Sequence, residues 1–579
     1  MQTLKSFFSK PFPRQKYFYL ILATVIIAVG LFVRTYHLSS LPPGIYPDEA
    51  VNGVDAIKAL ETGHFRLFYI NNYGREGLFM NLIAFGFKLF GANVITLKMW
   101  SVFFGTLTIL GIILLARELW NTWRAGLIAG FLYATSYWAI NFSRISFRAN
   151  MLPFVLVFSF YFLFRGLRIY PAPIQYKGLN NSKDGRRSRF GVQTLNLIKQ
   201  FWNWCGANRY FILAGAFFGL GMHTYIAFRI APAILIALLI ALVISKKNFF
   251  RTHWKPVAFF VAAMLIVALP MLLTFWFHPE YFDTRAESVF IFSSKVNQGQ
   301  LGHALWTSTT KTLEMFNVSG DQNWRHNFPG QPELQFFVGI FFLAGILYFF
   351  GRFFVLLYQR AKLGKRSDEL VVATLLLSWF FLMLLPEMLS YEGLPHSIRA
   401  IGALPAAILL ATFAIEMLFI FFDRLKIQFA KYFAYIVLIF LILWSGAASI
   451  QRYFVDWAEA PQIHLAFSQN FKNIALYLNS LPPNINKYVE ANAGGQIMEN
   501  GLPVSAAVVE TLTHDRTPGI EYFRPDFDAS LIHSPAKVVL MYYDGVAIAK
   551  IKALYPGAYV QKMDPQPGNG TDYFVININ

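Results

Sequence analysis

Apolar residues in this chain gather in long unbroken runs, and the polar residues fall into the gaps between them. A helix crossing the hydrocarbon of a bilayer takes about 20 apolar residues. Eleven runs meet that length: residues 17–36, 93–116, 123–142, 149–169, 209–226, 228–246, 255–277, 335–358, 369–389, 398–422 and 431–450. Each predicts a transmembrane helix. A shorter run, 76–90, sets Leu78, Leu82, Phe85 and Leu89 on one helical face and stops at Gly91, which predicts a helix at the membrane interface. Between the first two long runs, Val54, Ile57 and Leu60 alternate with Asp55, Lys58 and Glu61 at helical spacing. A second amphipathic helix, lying on the membrane, is expected there.

After Gly446 the period changes. Strand-like runs at Lys487–Ala491, Val538–Tyr543 and Tyr573–Ile578 alternate with helix-like stretches at 466–481, 502–512 and 546–554, the pattern of a small α/β domain. The chain thus reads as a polytopic α-helical membrane module over 1–450 followed by an α/β accessory domain over 451–579.

Composition agrees: 56% of the 579 residues are hydrophobic, 18% aromatic and only 14% charged, and the mean hydropathy is +0.45. The net charge of +19 would suit nucleic acid if it were spread over one surface, but it gathers in alternate connections. Lys5, Lys10, Arg14 and Lys16 precede the first run; Arg117 and Arg124, Lys183–Arg189, Lys246–Lys255, Arg360–Arg366 and Arg424–Lys431 follow. Eleven spans place every cluster on one side, and the positive-inside rule makes that side cytoplasmic. A cell-membrane protein is implied, with a cytoplasmic N-terminus, external segments at 37–75 and 278–334, and an external C-terminal domain. The basic loop 170–208 then faces the cytoplasm, where it suits anionic lipid headgroups. The first run is too long, and lacks the small-residue flank, for a cleaved signal peptide. Cys205 is the single cysteine, which excludes an internal disulfide and a cysteine metal cage.

Candidate chemistry concentrates at the outer ends of the runs. Tyr46-Pro-Asp48-Glu49 places two carboxylates among apolar and ring residues just after the first span, and Arg75-Glu76 follows closely. Asp48 is also well placed as a plain helix cap. Arg144 and Arg148 occupy a tight turn at bilayer depth, where an arginine costs about 3 kcal/mol on insertion scales; snorkelling to lipid phosphate is the bland alternative. The next external junction carries His223, Tyr225 and Arg229, of which the histidine reads more often as a satisfied core residue. In the long outer loop, Asp321, Asn323, Arg325, His326 and Asn327 form a polar constellation between glycine and proline punctuation, and Phe316, Trp324 and Phe328 suggest a lid. Glu392, His396 and Arg399 sit at a further short external turn.

Tyr46-Pro-Asp48-Glu49, Lys88-Leu-Phe-Gly91, Gly320-Asp321 to Gly330 and Pro395-His396 to Pro405, in the order and topology just described, resemble the GT-C glycosyltransferases. More narrowly, the chain is similar to the bacterial relatives of protein O-mannosyltransferases and of the lipid A aminoarabinose transferase, a glycosyltransferase family 39-like pattern covering residues 17–450. The resemblance implies a hexosyltransferase that moves a sugar from a polyprenyl-phosphate donor to a protein, lipid or glycan acceptor hydroxyl at the outer face. It also implies that Asp48 matches the family's catalytic acidic residue and Glu49 its neighbour. Where the aminoarabinose transferases carry Lys-Pro-Pro, this chain has Gly74-Arg75-Glu76-Gly77, so lipid A does not carry over as acceptor.

The residues fit that chemistry independently. A carboxylate in a semi-apolar site serves as general base, and arginines grip a leaving phosphate through their planar fork. Arg144, Arg148, Arg229 and Arg399 are the candidate phosphate ligands. Tyr46, Arg75, Glu76, His223, Tyr225, Asp321, Asn323, Arg325, His326, Asn327, Glu392 and His396 are the candidate pocket. Displacement with a single base inverts configuration, whereas Glu76 or Glu392 as a second carboxylate would allow retention. No organic cofactor is implied; a divalent cation between Asp48 and a second carboxylate stays open. The competing reading is a transporter or flippase for a lipid-linked glycan, against which the span interiors are nearly charge-free and show no paired broken helices. An inert polymer-binding scaffold is a third, and leaves the acidic pair unexplained.

Overall fold

The computed structural model describes residues 14–169, 196–283, 289–517, 519–566 and 568–579. The N-terminal basic residues Lys5 and Lys10 and most of the basic 170–208 loop lie outside them. In chain order the membrane module comprises α1 (Arg14–Thr35), α2 (Pro47–Thr62), the two-residue strands β1 (Phe68–Tyr69) and β2 (Arg75–Glu76), α3 (Leu78–Phe90), α4 (Val94–Trp120), α5 (Trp123–Thr135), α6 (Tyr137–Ser143), α7 (Met151–Leu167), α8 (Asn196–Leu220), α9 (Pro232–Ser245), α10 (Phe249–Phe277), α11 (Leu301–Glu314), α12 (Phe336–Leu363), α13 (Asp368–Met388), α14 (Leu404–Asp423) and α15 (Gln428–Gln451). Among the described residues nine helices are long and apolar enough to cross a membrane: α1, α4, α7, α9, α10 and α12 to α15, some extended by a short helical turn. The expected span 209–226 is helical as far as Leu220, the end of α8. The expected span 123–142 is broken at Ser136, whose side chain accepts from the Ala139 amide and starts α6 as a separate helix. This is a polytopic α-helical membrane protein.

Helices α4, α7, α13 and α14 form the buried centre, while α10, α12 and α15 present side chains such as Ile266, Trp276, Phe354, Phe429 and Phe440 outward. Close approach of small residues lets helices touch without a hydrophobic drive in lipid. A Cβ on Gly215 or Gly219 of α8 would lie 2.1 Å from Phe260 O or 2.3 Å from Met264 O of α10, so neither glycine can be replaced while that crossing is kept.

The C-terminal domain forms as expected, with two strands more. It holds α16 (Gln469–Ser480), β3 (Asn486–Glu490), α17 (Ala507–Thr513), β4 (Ile520–Phe523), β5 (Ala536–Leu540), α18 (Gly545–Leu554), β6 (Tyr559–Met563) and β7 (Tyr573–Ile578). The sheet runs β4-β3-β5-β7-β6, with β4, β3 and β5 parallel and β7 antiparallel to β5 and β6. β4 and β6 escape the sequence reading because they are its edges and mostly half-exposed or exposed, without the apolar run of a central strand.

The amphipathic helix expected on the membrane surface is not there. Its segment is the second half of α2, and α2 is buried on most of its surface, including Glu49, Asn52 and Asp55. Val54 and Ile57 join the main core, and the C-terminal domain packs on the helix: Thr511 Oγ1 donates to Ala50 O (3.0 Å), a Cβ on Gly53 would strike the Thr511 side chain, and Glu499 pairs with Lys58 (3.1 Å) on the polar face. By contrast α3 keeps Phe85, Leu89 and Phe90 exposed, as an interfacial helix should.

Candidate active site

Pro47 and Asp48 open α2, with Tyr46 extended before it. Glu49, at the third helical position, turns back and accepts from the Tyr46 amide through Oε1 (2.9 Å), while its Oε2 accepts from the Ser146 amide (2.7 Å) and Lys98 Nζ stands 4.0 Å away. Burial pushes this carboxyl above the usual range, against the opposing pull of Lys98 and the two amides. Glu49 therefore fixes the start of α2 onto the turn between α6 and α7 and does not reach a cavity. Asp48, one residue earlier and rotated round the helix, lines one. Among the described residues no side-chain hydrogen bond or ion pair engages the Asp48 carboxylate.

That cavity is small, about 60 Å³. Asp48 and Asn52, one turn apart on α2, form one wall, and Arg75, Arg148 and Arg399 provide cations around it. Arg75 is buried and held by Asp55 in an ion pair, with Asn71 Nδ2 donating to the other Asp55 oxygen (2.7 Å). Glu76 does not line the cavity; it bridges Arg148 (2.8 Å) and Arg229 (3.4 Å) from behind. Arg148 also lies over the Tyr225 ring, which closes another side. Arg399 pairs with Glu392 (3.0 Å) and lies 3.7 Å from Glu387.

Three expected participants are placed elsewhere. Arg144 is fully buried and donates to Val33 O (2.8 Å), Tyr36 O (2.7 Å), Leu41 O (2.8 Å) and Tyr453 Oη (3.1 Å), so it satisfies carbonyls where α1 ends and does not line the cavity. Arg229 donates to Phe282 O and stacks over Phe275 and Phe282, outside the cavity lining. The Nε2 of His223 lies 2.9 Å from Val267 O, in a helix contact.

A second, more open space of about 420 Å³ adjoins the first and shares Tyr46, His326 and His396 with it. Asp321, Asn323, Arg325 and Glu392 line its remainder. Arg325 lies 4.1 Å over the Tyr46 ring, which meets Phe147 edge-on. The 320–330 loop is not a free lid. Asn141 Nδ2 donates to Arg325 O and His326 O, Trp457 Nε1 donates to Trp324 O, and Asn327 donates to Asp321 O and Gln331 O within the loop. Phe316 packs inward among Trp138, Phe342 and Phe380.

Among the described residues one group could hold a cation, and it is not at Asp48. Asp321, His326 and His396 bring their ligand atoms within 4.8 Å of one another. Behind them Glu333 accepts from Ser397 Oγ and the Asp321 amide, and burial raises its carboxyl to about 8.

Sequence reasoning missed Asn52, Asn72 and Phe147 in the first cavity. Asn52 stands four residues after Asp48, the helical spacing that shares a face, and that signal was readable. Asn72 was not, because it reaches the cavity through a turn in which Asn72, Tyr73 and Gly74 all take positive φ (51°, 63° and 79°).

A helical membrane bundle whose acidic-pair helix closes under a C-terminal α/β domain, with arginines round the free carboxylate, has the GT-C fold. ArnT from Cupriavidus metallidurans bound to undecaprenyl phosphate superposes with a TM-score of 0.52 at 15% identity, over 96% of this chain and 98% of that one. Its apo state gives the same score. AglB from Archaeoglobus fulgidus, in complex with an inhibitory peptide and a dolichol-phosphate, scores 0.48 at 15% identity over 88% of this chain and 65% of its own. No family model and no curated protein matches the sequence.

Proposed function

We propose that this protein is a glycosyltransferase that moves a sugar from a polyprenyl-phosphate carrier to an acceptor hydroxyl at the outer face of the cell membrane, with Asp48 as general base. The carrying observation is the contrast among carboxylates. Glu49 is held by amides, Asp55 by Arg75 and Asn71, Glu76 by two arginines and Asp321 by His326 and the Ser397 amide. Asp48 alone among these is unengaged, in a cavity that Arg148 and Arg399 also line. The polyprenyl phosphate bound by ArnT supports the donor class.

In this reading the acceptor oxygen forms its bond to the anomeric carbon as its proton passes to Asp48. The sugar–phosphate C–O bond breaks with its electron pair leaving on the phosphate oxygen, beside Arg148 and Arg399. Both carboxylates that would allow retention are otherwise occupied, Glu76 between two arginines and Glu392 on Arg399, which favours inversion. The orientation with a cytoplasmic N-terminus and external C-terminal domain rests on the basic clusters.

The test pairs two measurements on Asp48→Asn: transfer of labelled sugar from polyprenyl phosphate by purified protein, and donor affinity. Transfer should fall by about 10² to 10⁴, the usual worth of a general base, with donor affinity kept. Normal transfer removes Asp48 from the chemistry. Wild-type protein that never cleaves the sugar–phosphate bond but moves the intact lipid between leaflets is a transporter.

A further inference from the structure

We infer that Asp321, His326 and His396 form a site for one divalent ion of the zinc class at the seam between the two cavities. Zinc binds imidazole nitrogen at about 2.0–2.1 Å and carboxylate oxygen at about 2.0–2.2 Å, so a tetrahedral site holds its ligand atoms roughly 3.4 Å apart. Here Asp321 Oδ2 lies 3.0 Å from His326 Nδ1 and 3.9 Å from His396 Nδ1, on either side of that spacing. The two imidazole rings are 4.6 Å apart. Two nitrogens and one carboxylate oxygen are the donor set of zinc sites that keep an open position, whereas calcium and magnesium take oxygen. Because His326 and His396 line both cavities, the open position faces the seam.

Charge points the same way. Asp321 and His326 are nearly inaccessible. Among the described residues no arginine or lysine pairs with Asp321, and a desolvated carboxylate demands a cation. The surrounding bonds orient the ligands as outer-shell partners do. The Ser397 amide donates to Asp321 Oδ2 (2.8 Å) and the Asn323 amide to Oδ1 (2.8 Å), while the His396 amide donates to Glu387 (2.7 Å). An ion here joins the 320–330 loop to the turn that carries Arg399, three residues after His396. Ligation itself does not depend on the transfer reading.

The experiment uses untagged full-length protein in nanodiscs, stripped with chelator and titrated with Co²⁺. One equivalent should bind with the strong visible absorption of a low-coordinate cobalt site, and Zn²⁺ should displace it. His326→Gln and His396→Gln should each weaken binding by more than the ~10–100-fold that follows loss of an outer-shell partner, while Glu392→Gln should leave it unchanged. Zn²⁺ should raise the melting temperature of the wild type and not of the histidine variants. Failure of stripped protein to take up one equivalent, or equal uptake by the histidine variants, overturns the site and leaves sugar transfer to be judged separately. A variant that does not fold is replaced by His396→Asn, at the most exposed ligand of the three.

Discussion

Replacing Arg144 with lysine separates an arginine that builds the site from one that works in it. The guanidinium serves four acceptors spread over its fork, three of them carbonyls at 2.7–2.8 Å where α1 gives way to the loop toward Asp48. It also lies over the rings of Tyr453 and Phe454. A lysine ammonium keeps the charge but donates from a single point, so it leaves roughly two buried acceptors unpaired. At about 1–3 kcal/mol for each orphaned buried group, Arg144→Lys should cost about 2–6 kcal/mol. Thermal unfolding in nanodiscs, followed by tryptophan emission, should show a melting temperature lower by several degrees. Donor affinity per folded molecule, measured on the same preparation, should stay within a few-fold of wild type. Unchanged melting with lost donor binding would refute this assignment and return Arg144 to the phosphate site.

Arg148→Lys and Arg399→Lys should behave in the opposite way, folding normally while transfer falls about 10–100-fold, the equivalent of one charged hydrogen bond of about 1.5–3 kcal/mol; steady-state kinetics with a labelled donor reads this. Asp55→Ala leaves Arg75 buried without its carboxylate and should destabilise the protein by about 3–5 kcal/mol, visible as early melting and faster proteolysis of the 37–75 segment. Burial raises the Glu510 carboxyl from its ordinary range near 4.5 to about 7, so the folded state holds a proton that the unfolded chain has released. Its stabilising contribution is full below about pH 4.5 and is lost as pH rises through 7; a pH series of melting temperatures should decline over that window and flatten in Glu510→Gln.

Much of this molecule is legible in the sequence because lipid imposes a strict code. Runs of about 20 apolar residues must be helices. Asp48 could be singled out as a candidate, although the same Pro-Asp-Glu suits a plain helix cap. The roles of its neighbours were not legible. Glu49 and Asp48 are adjacent acids with identical sequence credentials, and only the rotation of α2 sends one to two backbone amides and the other to a cavity. Arg144 and Arg148 differ in the same way, four residues apart across a turn whose path no periodicity predicts. The membrane-surface reading of α2 failed because an amphipathic pattern reports two unlike faces without saying what covers the polar one. Here Arg75 covers Asp55, and Glu499, 441 residues later, covers Lys58.

That cover has a consequence for timing. The loop before Asp48 is held by late segments: Lys472 donates to Ser39 O and Pro43 O, and a Cβ on Gly44 would fall 2.0 Å from Phe467 O. The loop beside the cavity is held likewise, with the Tyr73 amide on Gln496 and the Glu499 amide on Asn71. All of these partners leave the ribosome after the last membrane helix. While the bundle is inserting, the carboxylate helix is already made but lacks half its supports, so a nascent chain holds every cavity residue without the finished cavity. The cavity is therefore completed in one late step, when the C-terminal domain folds back onto a helix made near the start of synthesis.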